Sequence, residues 1–157
     1  MTTKHVTRII LAPRERQVLE GLAAGASLPV VANDLKIREG TAAGYLKNAK
    51  RKLHGVNETP AAVAVAYATE AIVRPELRDP ETLFLPREQR VLVPLIARGL
   101  TAAQMVTELT PKPKVDIIRR DCRELRVNLQ ALNRAHLVTR AWEFQILNAE
   151  QVIAWLR

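Results

Sequence analysis

The chain has 157 residues, 48% of them hydrophobic and only 4% aromatic, with a formal net charge of +8. That length holds one ordinary domain or two small ones, and so few aromatics suit small helical cores of Leu, Val and Ala. No apolar run approaches bilayer length, a single cysteine cannot close an internal disulfide, and no Gly-rich phosphate loop, nucleophile motif or carboxylate pair gives catalysis a starting point.

The basic balance, with a pI near 10.2, suits a polyanionic partner. The opening MTTKHVTRI lacks the hydrophobic core of a secretion signal, so residence in the cytoplasm is expected. Only this short stretch precedes Leu11, too little for a sensing domain, so any signal is expected to act through a partner, expression level or the C-terminal segment. His5, His54 and His136 are scattered, with no cysteine or carboxylate at ligand spacing, and neither a metal nor a cofactor is expected.

Residues 11–23 place Leu11, Val18, Leu19 and Leu22 at helical spacing, with Pro13 and Glu15 suited to a first turn. Gly25 can end that helix, and Ser27 can cap a short second one with Val30, Val31 and Leu35 on its apolar side. Lys36 and Ile37 make a tight connection into residues 38–53, where Ala42, Leu46, Ala49 and Leu53 form one apolar stripe. The other face carries Thr41, Ala43, Gly44, Lys47, Asn48, Arg51 and Lys52: small residues that allow close approach, then cations that meet phosphates. A turn at His54 and Gly55 leads to an alanine-rich fourth helix with Pro60 in its first turn.

Residues 74–82, with two prolines and five charges, read as a linker. The chain then starts again. Pro86, Glu88, Val91 and Leu92 answer Pro13, Glu15, Val18 and Leu19; Gly99 answers Gly25 after a one-residue insertion; residues 101–109 match 27–35. Pro111 and Pro113 lengthen the next connection, beyond which Ile118, Cys122, Leu125 and Leu129 reproduce the third-helix stripe and predict a buried Cys122 thiol. Residues 132–135 answer 56–59 and open a fourth helix with Trp142 and Phe144. Asn148 can cap a last segment whose Val152, Ile153, Trp155 and Leu156 either dock on the core or meet a second copy of the chain.

Residues 11–72 resemble the four-helix DNA-binding domain of LuxR-type bacterial transcription regulators, also called GerE- or NarL-type. The resemblance rests on LxPRExxVLxxLAxG from Leu11, SxxxxAxxL from Ser27, TxxxxLxxxxxKL from Thr41 and VNxT from Val56. The first three pieces also suit the promoter-reading region of sigma factors; the fourth favours the LuxR type. The second half resembles the same family at greater distance. The reading is therefore an all-α chain of two tandem four-helix helix-turn-helix bundles: residues 1–73, a linker at 74–82, and a divergent module with a C-terminal helix at 83–157.

The resemblance implies a transcription regulator with double-stranded DNA as partner, nucleoid-associated when bound, and a homodimer through the fourth or C-terminal helices. By position, base reading falls to Ala43, Gly44 and Lys47 in the first module and to Arg119, Arg120 and Arg123 in the second, with Lys114 at the head of that helix. Asp116 and Asp121 are expected on or near the same face, where they repel phosphate. The alternative is a degenerate helix-turn-helix protein that binds another transcription factor or the polymerase.

Overall fold

The computed structural model describes residues 7–156; Arg157 and residues 1–6, His5 among them, lie outside the described residues. Helix α1 (Pro13–Ala23) opens on a proline, whose missing N–H is no loss in a first turn. The Glu15 carboxylate accepts the Ala12 N–H at 2.9 Å, satisfying one of the orphan donors of that turn. After α2 (Leu28–Asp34) the chain enters α3 (Glu39–Lys52), and α1, α2 and α3 enclose a small core of Val18, Leu22, Val31, Ala32 and Ala42. Helix α4 (Thr59–Ala68) follows. No strand occurs among the described residues.

Residues 74–82 run extended except for a 3₁₀ turn at Pro80–Thr82. They are pinned down. Arg74 donates to the carbonyls of Tyr67 and Ala68 and lies over the Trp142 ring, while the Arg78 N–H reaches the Glu143 carbonyl at 2.7 Å.

The first helix of the second half is broken into α5 (Arg87–Arg90) and α6 (Val93–Ala97). Pro94 cannot donate to the Arg90 carbonyl and its ring crowds that group, so the continuous helix expected from the repeat does not form. Then come α7 (Ala102–Glu108), capped reciprocally by Thr101 and Gln104, α8 (Val115–Asn128) and α9 (Arg134–Glu143), capped by Asn133. Helix α10 (Ala149–Trp155) starts at a reciprocal Asn148–Gln151 cap, folds back and buries Val152 against α4. Of the two expected fates of this segment, docking within the chain is the one observed.

Burial corrects the register of the repeat. The expected pairing sets Glu88 against Glu15 and Val91 against Val18, yet Glu88 and Val91 are exposed. One residue later everything agrees: Leu85 with Leu11, Gln89 with Glu15, Leu92 with Val18 and Gly99 with Gly25, with no insertion. In the second half Arg87 and Glu88 of the Pro-Arg-Glu letters lie on the exposed start of the helix, where packing does not hold them. At the fourth helices, too, the match moves by one, Asn133 standing where Glu58 does. Along the third helices the stripe repeats as expected, Ala42, Ala49 and Leu53 being buried like Ile118, Leu125 and Leu129. Cys122 departs from expectation: like Leu46, its counterpart, it is only half-buried, at the edge of the stripe.

The corrected register exposes a substitution of chemistry at constant geometry. In the first half Lys52, the last residue of α3, places Nζ 2.7 Å from the buried Glu15 carboxylate. In the second, the Asn128 side-chain amide, on the last residue of α8, donates to the Gln89 side-chain oxygen Oε1 at 2.7 Å. A charged clamp between first and third helices is replaced by an amide pair.

The two halves share one core. Every residue from 61 to 69 is buried, and α4 is covered by α9 and α10, with α6, α1 and α3 completing the enclosure. Tyr67 and Trp142 pack with ring centroids 5.4 Å apart. The Thr139 hydroxyl donates to the Ala23 carbonyl at 2.8 Å, so the Tyr67 hydroxyl, 2.9 Å away, donates to Thr139. This closes the fourth-helix route to a homodimer that the resemblance implied: the surface is already occupied within the chain.

Two consequences are measurable. Burial raises the Glu15 carboxyl pKa, but hydrogen bonds from Lys52 and the Ala12 N–H outweigh it and hold the group below the usual glutamate range. Its contribution is therefore present above that range and lost as pH falls through the lowered value. Glu15→Gln alone should cost about 1 kcal/mol, because Lys52 keeps only a neutral acceptor. Adding Lys52→Asn, which copies the Gln89–Asn128 pair, should recover most of it and flatten the acid limb of stability, read by denaturant titration from pH 7 to 3. A double variant worse than the single one refutes the equivalence.

The second concerns His136, whose Nδ1 accepts the Leu132 N–H at 3.0 Å. Burial, then the nearby Arg140 cation, push the imidazole below its ordinary value of 6.5, with Glu143 opposing. The unfolded chain thus takes up the proton first, and stability should fall as pH drops below about 6.5. Melting points between pH 7.5 and 5.5 should show this slope, and His136→Gln should reduce it.

Candidate nucleic-acid interface

Helix α3 turns its alanine stripe inward against α1 and α2, which leaves Thr41, Ala43, Gly44, Lys47 and Arg51 exposed on one uncovered face. A Cβ built on Gly40 or Gly44 meets nothing within 4 Å, so neither glycine is required by packing. Asn48 is half-buried and accepts a bond from Arg51 at 3.3 Å. Lys52 is different: its ammonium is committed to Glu15, and that charge is largely spent inside the fold. Lys50, Arg51 and Lys52 crowd the C-terminal turn of α3, where the helix dipole favours cations.

Between α3 and the start of α4 lies a cleft of about 600 Å³ bounded by Ala43, Leu46, Lys47, Lys50, Arg51 and Val56. The equivalent cleft of the second half, about 410 Å³, is bounded by Arg119, Cys122, Arg123, Arg126 and Arg134 above apolar Ile96, Ala102 and Leu137. Burial pushes the Cys122 thiol pKa up, so the sulfur stays protonated. The sequence reading missed Lys50, Arg126 and Arg134. The first two were legible, because Ala43, Lys47 and Lys50, like Arg119, Arg123 and Arg126, follow the four-and-seven spacing of one helix face. Arg134 sits on another helix and is brought in only by the fold.

Lys114, just before α8, and Arg119, Arg120 and Arg123 on it are all exposed. Arg119 pairs with exposed Asp116 at 3.4 Å, and Arg120 with Asp121 at 3.3 Å. Asp121 is not on the outer face as expected: it is buried. Asp121, Leu125 and Asn128 follow one flank of α8, and Gln89 of α5 holds Asn128 at its end. Of the two acidic residues, only Asp116 faces solvent beside the arginines.

No helix among the described residues is long and apolar enough to cross a membrane. Searches of the curated proteins and of the solved structures each returned no significant match. Residues 9–66 match the family described as bacterial regulatory proteins, luxR family, a span that begins just before α1 and reaches into α4. Residues 9–66 are therefore a helix-turn-helix domain of the luxR family, and the chain carries the DNA-binding domain of a transcription regulator.

Proposed function

We propose that the chain regulates transcription by setting α3 into the major groove of double-stranded DNA while α8, its counterpart in a second and divergent module, makes an additional contact. The observation that carries this is the uncovered face of α3: small residues at Thr41, Ala43 and Gly44, then exposed cations at Lys47 and Arg51. That order allows the backbone to approach bases and brings charge to phosphates. A second reading, in which these surfaces grip another transcription factor or the polymerase, draws on α8, where exposed Asp116 stands beside Arg119.

Gel shifts in competitor DNA at rising salt decide between them. Lys47→Ala with Arg51→Ala should weaken binding to all sequences, and the slope of log affinity against log salt should become shallower by about 0.9 for each lost phosphate contact. Binding indifferent to salt and to these changes would leave only the protein-partner reading.

Gly44 separates stability from recognition. Since a Cβ there meets only open space, Gly44→Ala should stabilise the fold by about 1 kcal/mol through helix propensity. On DNA the same methyl stands between backbone and base edge, so affinity should fall. A variant that melts higher and binds equally well would place Gly44 away from the groove.

A further inference from the structure

The seam between the halves has the form of a two-fold contact. Tyr67 and Trp142 hold the same place in α4 and α9, and they touch each other. Away from that point the contacts are reciprocal. Gly25, at φ +99°, lies so close to the start of α9 that a Cβ would come within 2.8 Å of Leu132 and 3.1 Å of His136. Gly99, its counterpart at φ +83°, lies against the start of α4, where a Cβ would come within 2.7 Å of Glu58. Equivalent residues that meet on an axis, with swapped pairs on either side, are what an isologous dimer of identical subunits produces. Here both sides belong to one chain.

The arrangement is sealed. Residues 61–69 are wholly buried, so no second copy can reach α4. The pinned linker joins each half to its own neighbour: Arg74 and Arg78 bond to residues of α4 and α9 in the same chain. The hydrogen-bond chain from Tyr67 through Thr139 to Ala23 has no mirror image, because Ala64 stands where Thr139 does. The seam is thus fitted to two unlike halves.

Resting on the DNA reading above, we infer that a single chain is the DNA-binding unit and that its target is an inverted pair of unlike half-sites, one under α3 and one under α8. A two-fold relation between the third helices imposes inversion on the half-sites, as it does for dimeric helix-turn-helix proteins. Identity of the half-sites is not imposed, because the residues at matching places differ: Ala43 against Arg119 and Lys47 against Arg123. Small side chains admit close packing or a thymine methyl, whereas arginine selects guanine. The α8 half-site therefore contains guanine and carries the stronger base preference.

The test uses the full chain: light scattering alone and on DNA, binding-site selection from random duplexes, and a footprint on the selected site. The expected results are a 17.6 kDa particle, one chain per duplex, and two unlike blocks in inverted orientation. Arg119→Ala with Arg123→Ala should flatten preference in one block only, by about tenfold per arginine. Lys47→Ala should weaken protection over the other. Both sets lie on exposed positions, and unchanged melting curves will show that the fold is intact. Two chains on a palindrome, or a single protected block whose base preference the α8 variants leave unchanged, would overturn the inference and leave DNA binding by α3 standing. Absence of any salt-dependent binding removes the DNA reading, and this inference with it.

Discussion

A helix with no polar face has to be covered on every side, and α4 is such a helix. Its sequence TPAAVAVAYA offers solvent nothing to solvate, and every residue from 61 to 69 is buried. A lone four-helix domain has only α1 and α3 to set against it, which leaves most of its girth bare. The second half supplies the remainder: α9 along one side, α10 along another, α6 near its start. Alanine is what makes this possible, because side chains of one carbon let several helix backbones approach the same axis. The shared core, the glycines pressed against the opposite fourth helices and the pinned linker all follow from the need to enclose α4.

Within that frame the halves have diverged where divergence is cheap. Glu15–Lys52 and Gln89–Asn128 join the same two helices at the same place, one with charge and one without. The geometry is under constraint and the chemistry is not, since either pair satisfies the buried polar atoms. The difference still reaches the surface. Lys52 is held inward by its carboxylate, so the cationic face of α3 rests on Lys47, Lys50 and Arg51, whereas α8 carries positive charge from a turn earlier in the helix, on Arg119 and Arg120.

Local signals in the chain located most of the helices. Prolines at first turns, the Thr101, Asn133 and Asn148 caps and the third-helix stripes all lie where short-range rules place them, and Ser27 stands at its N-cap position without a side-chain bond. The break between α5 and α6 was also legible, in Pro94, but the match of letters to residues 13–19 concealed it. Letter matching failed because Pro86, Arg87 and Glu88 sit on a solvated turn, while burial is recorded by Leu85, Gln89 and Leu92. The seam was illegible for a different reason. Gly25 and Gly99 read as helix ends, which they are, but their closeness to the opposite fourth helices depends on a neighbour some hundred residues away in one case, as the Asn133 to Gly25 bond shows. The burial of Asp121 was hidden likewise, because nothing local says that another element packs on that flank.

The three arginines that share the outer side of α8 are not equally free to read a base. Arg123 has no ion-pair partner among the described residues. Arg119 has one in Asp116, but both side chains are largely exposed, and such pairs contribute about 0 to 1 kcal/mol, so a guanine edge can displace the carboxylate at little cost. Arg120 is held differently. Its partner Asp121 is only 6% exposed, and Arg120 is the sole cation paired with it among the described residues. To reach DNA, Arg120 must leave a buried carboxylate without its cation, and that loss exceeds the loss of a pair exposed on both sides. Position alone would rank the residues in chain order. The fold reorders them: on the proposed DNA reading Arg123 and Arg119 are the freer to meet a base, while Arg120 gives its charge to the buried carboxylate beside it on the same helix.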